Sequence, residues 1–482
     1  MRTLRALGVL FLIGIVLAPK GMSKVYVRWT QTKLPPAKVL GTNDLVIPWS
    51  DQASSFVDMA KKEGYRVYLE ATAEQSATAA EAGAKLGIAG ILVSAASQGK
   101  QVEESAGALR AKYPKLQILV VSPGGKQPEM RGWLVFNKNG ILQVSSPSSQ
   151  PWLDQNLATV RYDRAFLPGQ TPIYSFAWDH SDPLVQQHGP KPADYSLAIS
   201  EAGAFHADLI LELSDEKQQA LANGDKLALE DWEPVRRTIG FYDREKQDEP
   251  ETAAVGVLTD DYDVAYEALN LMARHNIPFR VLHSTETKPQ DLAAFSVIIE
   301  FAAPGEELIG ALQSFAESGG VVVLVNVPAN YPWDSTASKQ AQRDSVTYMV
   351  GKGRIIELGE PISDPETFAE DVRRLMAKDR VPVSLWNSLT TLVVEYPGAK
   401  PGEVVVELVN YDEETTQVQV QVRGAFESVT FESADTGCCE TLKPSQVDGF
   451  TDFVVPNLVI GGRVHLQGEK PATKENSTRT AN

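Results

Sequence analysis

Four carboxylates stand where a short apolar run gives way to a turn. Asp51 follows Leu45–Trp49, Glu70 lies near the end of Tyr65–Ala71, Asp179 follows Trp178, and Glu212 sits one residue before the end of Asp208–Leu213. Two carboxyl groups on either side of one bond can do acid–base hydrolysis. One delivers a proton to the leaving oxygen, and the other activates water or attacks directly, as in the splitting of glycosidic bonds. Asp179 is the strongest candidate. It closes the aromatic-rich run Ile173–Trp178 and has His180 and Asp182 beside it. Trp178 and Trp49 offer flat apolar rings on which a sugar face could rest. Glu212 is next, because a carboxylate inside an apolar strand is costly unless it is paired or functional. Glu70 and Asp51 complete the set, with His180 as a polar neighbour. Each has a plainer reading. Asp179 is also a good turn cap, an arginine inside the fold would give Glu212 a structural role, and both tryptophans are suited to a core.

Other chemistries lack their residues. The six histidines show no paired spacing, and the only cysteines, Cys438 and Cys439, are adjacent, so neither a metal site nor a cofactor is expected. Adjacent cysteines seldom pair as a disulfide, and a turn between two strands is the expected setting. No G-x-S-x-G nucleophile elbow is present. Ser122-Pro123-Gly124-Gly125-Lys126 is too short for a phosphate loop, and no Ser or Thr follows its lysine.

The elements that would position these carboxylates alternate between strand and helix. Val25–Trp29, Leu45–Trp49, Tyr65–Ala71, Gly90–Ser94, Gln117–Ser122, Gly140–Ser145, Pro172–Trp178 and Asp208–Leu213 read as eight strands. Ser54–Glu63, Ala73–Leu86, Glu103–Tyr113, Tyr195–His206 and Trp232–Tyr242 carry a helical period between or after them. Such alternation means a parallel sheet, and eight units over residues 24–249 predict a (β/α)8-barrel-like domain. An open doubly wound sheet uses the same ingredients. Pro35-Pro36 argues against a first helix, and Trp133–Ser145 reads as a hairpin around Lys138-Asn139-Gly140.

After the charged segment Asp243–Glu251, residues 252–376 read as a second, smaller flavodoxin-like α/β domain. Its strands are Ala253–Leu258, Phe279–Leu282, Phe295–Glu300 and Val321–Val327, with helices over Tyr262–His275 and Glu306–Ser318. No dinucleotide fingerprint follows its first strand. Residues 381–467 change to period two, most strictly in Gln417–Val422, and predict an antiparallel β-sandwich. Residues 468–482 are polar, short of apolar side chains, and read as a disordered tail.

The net charge of −17 argues against nucleic acid as a partner. Arg2 and Arg5 precede the uncharged apolar run Ala6–Ala18, which is shorter than the roughly 20 residues of a membrane span and fits a secretory signal over residues 1–23. The chain is therefore expected to be exported and not to remain in the membrane after cleavage. An uncleaved N-terminal anchor is the alternative.

The order barrel, α/β domain, small sandwich resembles the beta-galactosidases of glycoside hydrolase family 42. Gly351-Lys352-Gly353-Arg354-Ile355-Ile356 is similar to a late strand of their class-I-amidotransferase-like domain. Leu408-Val409-Asn410-Tyr411, Phe453-Val454-Val455-Pro456 and Val464-His465-Leu466 look like their closing sandwich. The resemblance implies carbohydrate as the partner and a homo-oligomer formed through the middle domain. That domain lacks a strand–Cys–helix nucleophile and is read as structural. The family's Asn-Glu pair after the fourth barrel strand and its Glu after the seventh are not matched, since the corresponding segments here are Val93-Ser94-Ala95-Ala96 and Phe176-Ala177-Trp178-Asp179. Three readings follow. One is a glycoside-hydrolase-like enzyme using Asp179, Glu212 and Glu70. The second is a carbohydrate-binding protein without catalysis. The third is an assembly protein of the cell envelope.

Overall fold

A computed structural model describes residues 24–50, 53–94, 99–122, 134–135, 152–153, 155–176, 191–243, 250–412 and 414–468. The expected signal segment (1–23) and nearly all of the expected tail lie outside these residues, as do Asp51, Trp178, Asp179 and His180. No helix among the described residues is long and apolar enough to cross a membrane.

The first sheet contains β1 (Val25–Arg28), β2 (Asp44–Pro48), β3 (Arg66–Ala71), β4 (Gly90–Ser94), β5 (Gln117–Val121), β8 (Ile173–Phe176) and β9 (Asp208–Glu212). All neighbours are parallel, in the order β5-β4-β3-β2-β1-β9-β8. This is a nearly closed barrel with seven strands among the described residues rather than the expected eight. The run Gly140–Ser145 lies outside the described residues. Between β5 and β8 the described strands form a two-stranded antiparallel ladder, β6 (Leu134–Val135) with β7 (Trp152–Leu153), separate from the barrel, and the helix Leu157–Phe166 follows it. The seam is held by the Ser122 N–H donating to the Ile173 carbonyl at 2.8 Å. The Gln170 amide also accepts from Val120 N–H at 2.9 Å and donates to the Val120 carbonyl at 2.7 Å. A side-chain amide thus satisfies edge groups that a further strand would otherwise pair.

Strand residues alternate between two environments, as the pleat requires. One set, including Val27, Leu45, Val67, Ile91, Ile118, Tyr174 and Leu211, packs under the helices. The other fills the barrel in layers. Its apolar layer is Tyr26, Val46, Tyr68, Leu92, Val121, Ile173 and Ile210, with Tyr26 and Tyr68 edge to face at 5.0 Å. At the N-terminal end a polar layer plugs the barrel, where Arg66 pairs with buried Asp44 and the Lys24 N–H donates to Asp208 at 2.9 Å. The next inward position above the apolar layer is Arg28 on β1, Glu70 on β3 and Glu212 on β9, at the C-terminal end.

The second sheet is β11-β10-β12-β13-β16-β15-β14. Here β10 is Val255–Leu258, β11 Phe279–Leu282, β12 Val297–Glu300, β13 Val321–Val325, β14 Ser338–Ala341, β15 Ser345–Val350 and β16 Gly353–Leu358. The five strands from β11 to β16 run parallel in the flavodoxin-type order, with an antiparallel extension at β15 and β14. The third unit is a sandwich of two antiparallel sheets. One is β17 (Val383–Leu385), β20 (Thr416–Arg423), β24 (Phe450–Leu458) and β23 (Ser445–Val447). The other is β18 (Thr391–Pro397), β19 (Glu403–Asn410), β25 (Gly461–Gln467), β21 (Ser428–Ser433) and β22 (Gly437–Leu442). Val418, Val420 and Val422, the apolar half of the period-two run, fill its core. Cys438 and Cys439 fall on strand β22 rather than in a turn. Their sulfurs are in contact, and Glu432 lies 3.4 and 3.6 Å away.

The three units pack through buried groups. Glu251 is 1% exposed; its carboxylate pairs with Arg164 at 2.6 Å and Arg161 at 3.5 Å, and its carbonyl accepts from Arg280 of β11. Tyr396 of β18 donates to the Ala204 carbonyl at 3.0 Å, and Tyr411 donates to Glu201 at 2.5 Å. The β25 backbone lies so close to the barrel helices that a Cβ at Gly461 would meet Ser200 Oγ and Tyr242 Oη at 2.5 Å.

Candidate active site at the barrel mouth

Three elements bring charge to the C-terminal end of the barrel. Register places Arg28 directly opposite Glu212, and Pro48 opposite Glu70. Arg28 Nε and Nη2 form a fork onto Glu70, donating to Oε2 at 2.8 Å and Oε1 at 2.6 Å. Its Nη1 donates to Glu212 Oε2 at 2.6 Å. One guanidinium therefore holds two carboxylates on different edges, the bidentate geometry that only arginine supplies. Side-chain exposure separates the two acids. Glu70 is 19% exposed and Arg28 17%, whereas Glu212 is 44% exposed. Burial works against the Arg28 charge, but the two carboxylates outweigh it and hold the guanidinium above its ordinary value.

A cleft of about 370 Å³ opens beside this triad, lined by Arg28, Thr30, Glu212, Ser214, Asp215 and Gln218 among others. Its far wall is the N-terminus of the helix Asp215–Asn223, whose N-cap Ser214 accepts from the Lys217 N–H at 3.2 Å. Thr30 ties the wall to β1. Its N–H donates to Gln218 at 2.9 Å and its hydroxyl to Asp215 at 3.1 Å. The cleft is thus rimmed by carboxylate, hydroxyl and amide groups, the donors and acceptors that a polyhydroxylated ligand needs.

The structure brings Glu70 and Glu212 together through Arg28. Trp49, one residue beyond β2, is tied to Glu70 by its backbone N–H, which donates to the Glu70 carbonyl at 2.8 Å, while its half-buried side chain packs against the apolar cluster under the helices. Asp51, Trp178, Asp179 and His180 lie outside the described residues. In the chain, Asp179 comes three positions after β8, the strand paired with β9 that carries Glu212. Arg28 is the residue of this candidate site that strand-by-strand reading passed over. The signal was available: an arginine at the end of a strand whose other inward residue is apolar needs a carboxylate at the same height.

Among the described residues, the one group of three side chains close enough to share a metal ion is Glu432, Cys438 and Cys439, far from the barrel in sequence and sheet. In the middle sheet, Glu300 ends β12 fully buried. It accepts from Ser284 Oγ and the Ala302 N–H, both at 3.1 Å, and burial pushes its carboxyl up to about 8.

No family model matches the chain, and no curated protein matches its sequence. Solved structures do. Alpha-L-fucosidase isoenzyme 2 from Paenibacillus thiaminolyticus is similar over 93% of this chain and 100% of its own, with a TM-score of 0.56 at 11% identity. A beta-galactosidase from Bacillus circulans sp. alkalophilus is similar over 92% and 99%, with a TM-score of 0.47 at 9% identity. The fucosidase match shows likeness of fold over 93% of this chain. The chain has the architecture of the barrel glycoside hydrolases, and at such identity the likeness is one of fold alone.

Proposed function

We propose that this is an exported glycoside-hydrolase-like protein that takes an oligo- or polysaccharide at the barrel mouth. The observation that carries this is the Arg28–Glu70–Glu212 triad, which faces inward at the C-terminal end of a glycosidase-type barrel beside an open polar cleft. Glu212, the more exposed carboxylate, is assigned to the reacting bond as base or nucleophile. Glu70 and Arg28 position it. Asp179 is assigned the proton to the leaving oxygen, with Trp178 and His180 beside the sugar. The middle domain, read as amidotransferase-like by resemblance, has a structural role and joins copies of the chain.

One observation favours a second reading. Arg28 already engages both Glu70 and Glu212 in close ion pairs, so neither can turn to a substrate without giving up a partner. A mouth of this kind binds a glycan without cutting it unless another acid takes part. Reducing-end release from a broad glycan panel separates the readings. The enzyme reading expects release by the wild type that falls at least about a hundredfold in Asp179→Asn or Glu212→Gln, the scale of lost acid–base catalysis. Binding without release supports the second reading, and neither binding nor release by folded protein refutes both.

A further inference from the structure

The outer face of the four-stranded sheet in the sandwich carries features that the barrel reading does not use. Its buried face is fixed by Val383, Val418, Val420, Val422, Phe453 and Val455. The alternate positions must therefore point outward. Pairing sets them in rows. Ser384, Gln421, Asp452 and Ser445 are opposite one another across β17, β20, β24 and β23. One step along lie Gln419 and Val454 in register, and the Trp386 N–H extends β17 by donating to the Gln419 carbonyl at 3.0 Å.

Trp386 is 56% exposed, unusual for the largest apolar side chain, and its backbone is fixed. The next residue, Asn387, takes a left-handed conformation with φ of 55°. Its side-chain amide acts as an extra rung of the sheet, donating to the Gln417 carbonyl at 3.1 Å and accepting from the Gln419 N–H at 2.9 Å. The turn that presents Trp386 is thereby clamped to β20. Beyond Gln419 the face dips into a cleft of about 510 Å³, larger than the one at the barrel mouth, whose lining includes Gln419, Glu440, Lys443, Ser445, Asp452 and Val454. Asp452 is oriented by Gln421, which donates to it at 2.8 Å.

We propose that this face is a second carbohydrate site, on which Trp386 stacks against one sugar ring of a neutral oligosaccharide while Gln419 and the cleft groups hydrogen-bond its neighbours. A rigid exposed ring next to amide and carboxylate groups suits a ligand with apolar ring faces and hydroxyl edges. Strands about 4.8 Å apart place Trp386 on β17 roughly 10 Å from β24, the reach of a short run of sugars. Glu440 and Asp452 against a single Lys443, on a chain of net charge −17, disfavour anionic glycans. The site stands independently of the barrel reading.

The test is affinity electrophoresis of the full chain in gels containing soluble neutral glucan, mannan, galactan or xylan, with Trp386→Ala and Gln419→Ala run alongside. Both sandwich side chains are exposed, so their removal leaves the core intact. The expected result is retardation of the wild type by at least one glycan, an apparent affinity about tenfold or more weaker in Trp386→Ala, and a smaller loss in Gln419→Ala. Retardation unchanged in both sandwich variants overturns the proposal, as does retardation by none of the glycans. A change of oligomeric state in Trp386→Ala with glycan affinity intact also overturns it and assigns the face to self-association.

Discussion

Replacing Glu300 by Gln gives the sharpest physical test of the middle domain. The carboxyl is fully buried at the end of β12. Its hydrogen bonds from Ser284 and Ala302 favour the charge, but burial, with Asp260 as a neighbouring like charge, raises it from 4.5 to about 8. The sign follows directly. Below the unfolded value of 4.5 the group is neutral in both states and its contribution is intact. As pH rises from there to about 8, the unfolded chain gains by ionising while the folded one does not, so stability is lost through that window and the loss levels off above it. Across that window, at about 1.36 kcal/mol per pH unit, the loss approaches about 5 kcal/mol, taken as a ceiling. Gln keeps the shape and cannot ionise. Urea unfolding at about pH 5 and about pH 9, with amide exchange over Val297–Glu300 as a local readout, should show variant and wild type nearly equal at the lower pH. The variant should be more stable by a few kcal/mol at the higher. Other titrating groups are common to both proteins and cancel in the difference. A wild-type-minus-variant difference that does not change between the two conditions refutes the reasoning.

Three further outcomes follow from packing and charge. Arg28→Met leaves Glu70 and Glu212 facing each other without their cation; for partly exposed acids we expect a loss of about 2 kcal/mol, below the 3–5 of a fully buried pair, measured by urea unfolding and largely rescued by adding Glu70→Gln. Glu251→Gln removes the buried counter-charge of Arg161 and Arg164 at the junction of barrel and middle domain, and should cost about 3–5 kcal/mol and split a single calorimetric transition into two. Gly461→Ala puts a methyl group 2.5 Å from Ser200 Oγ and Tyr242 Oη, so the sandwich must shift from the barrel, at about 1–3 kcal/mol in thermal unfolding, while Gly359→Ala, with open space at its Cβ and no left-handed φ, is a control for glycine backbone effects alone.

Much of the fold was legible because period and punctuation agreed. Gly90–Ser94, Phe279–Leu282, Glu403–Asn410 and Thr416–Arg423 have the bounds their sequence patterns suggested. The barrel sheet, the parallel middle sheet and the antiparallel closing sheets follow one another along the chain in the order the patterns suggested. The misses have local causes. The last barrel helix begins at Lys226 rather than Trp232, capped by Asp225 and carrying Pro234 inside it. A single helical turn, Ala37–Leu40, follows Pro35-Pro36, where no helix was expected. The hairpin β14–β15 extending the middle sheet escaped notice, since Ser338–Ala341 is exposed throughout and carries no alternation. At the site, Glu70 and Glu212 were found as carboxylates at strand ends. Their shared Arg28 was not, because it is 42 and 184 positions away in the chain and only the barrel register sets the three at one height.

The central claim is that a glycan sits at the barrel mouth, and hydrogen exchange with and without a bound oligosaccharide tests it most directly. A glycan at the mouth is expected to slow exchange in the peptides spanning Arg28–Thr30, Tyr68–Ala71 and Leu211–Gln218, with any protection of Trp386–Gln419 removable by Trp386→Ala while the barrel signal persists. Protection confined to the sandwich, with those three barrel segments unchanged at saturating ligand, would contradict it.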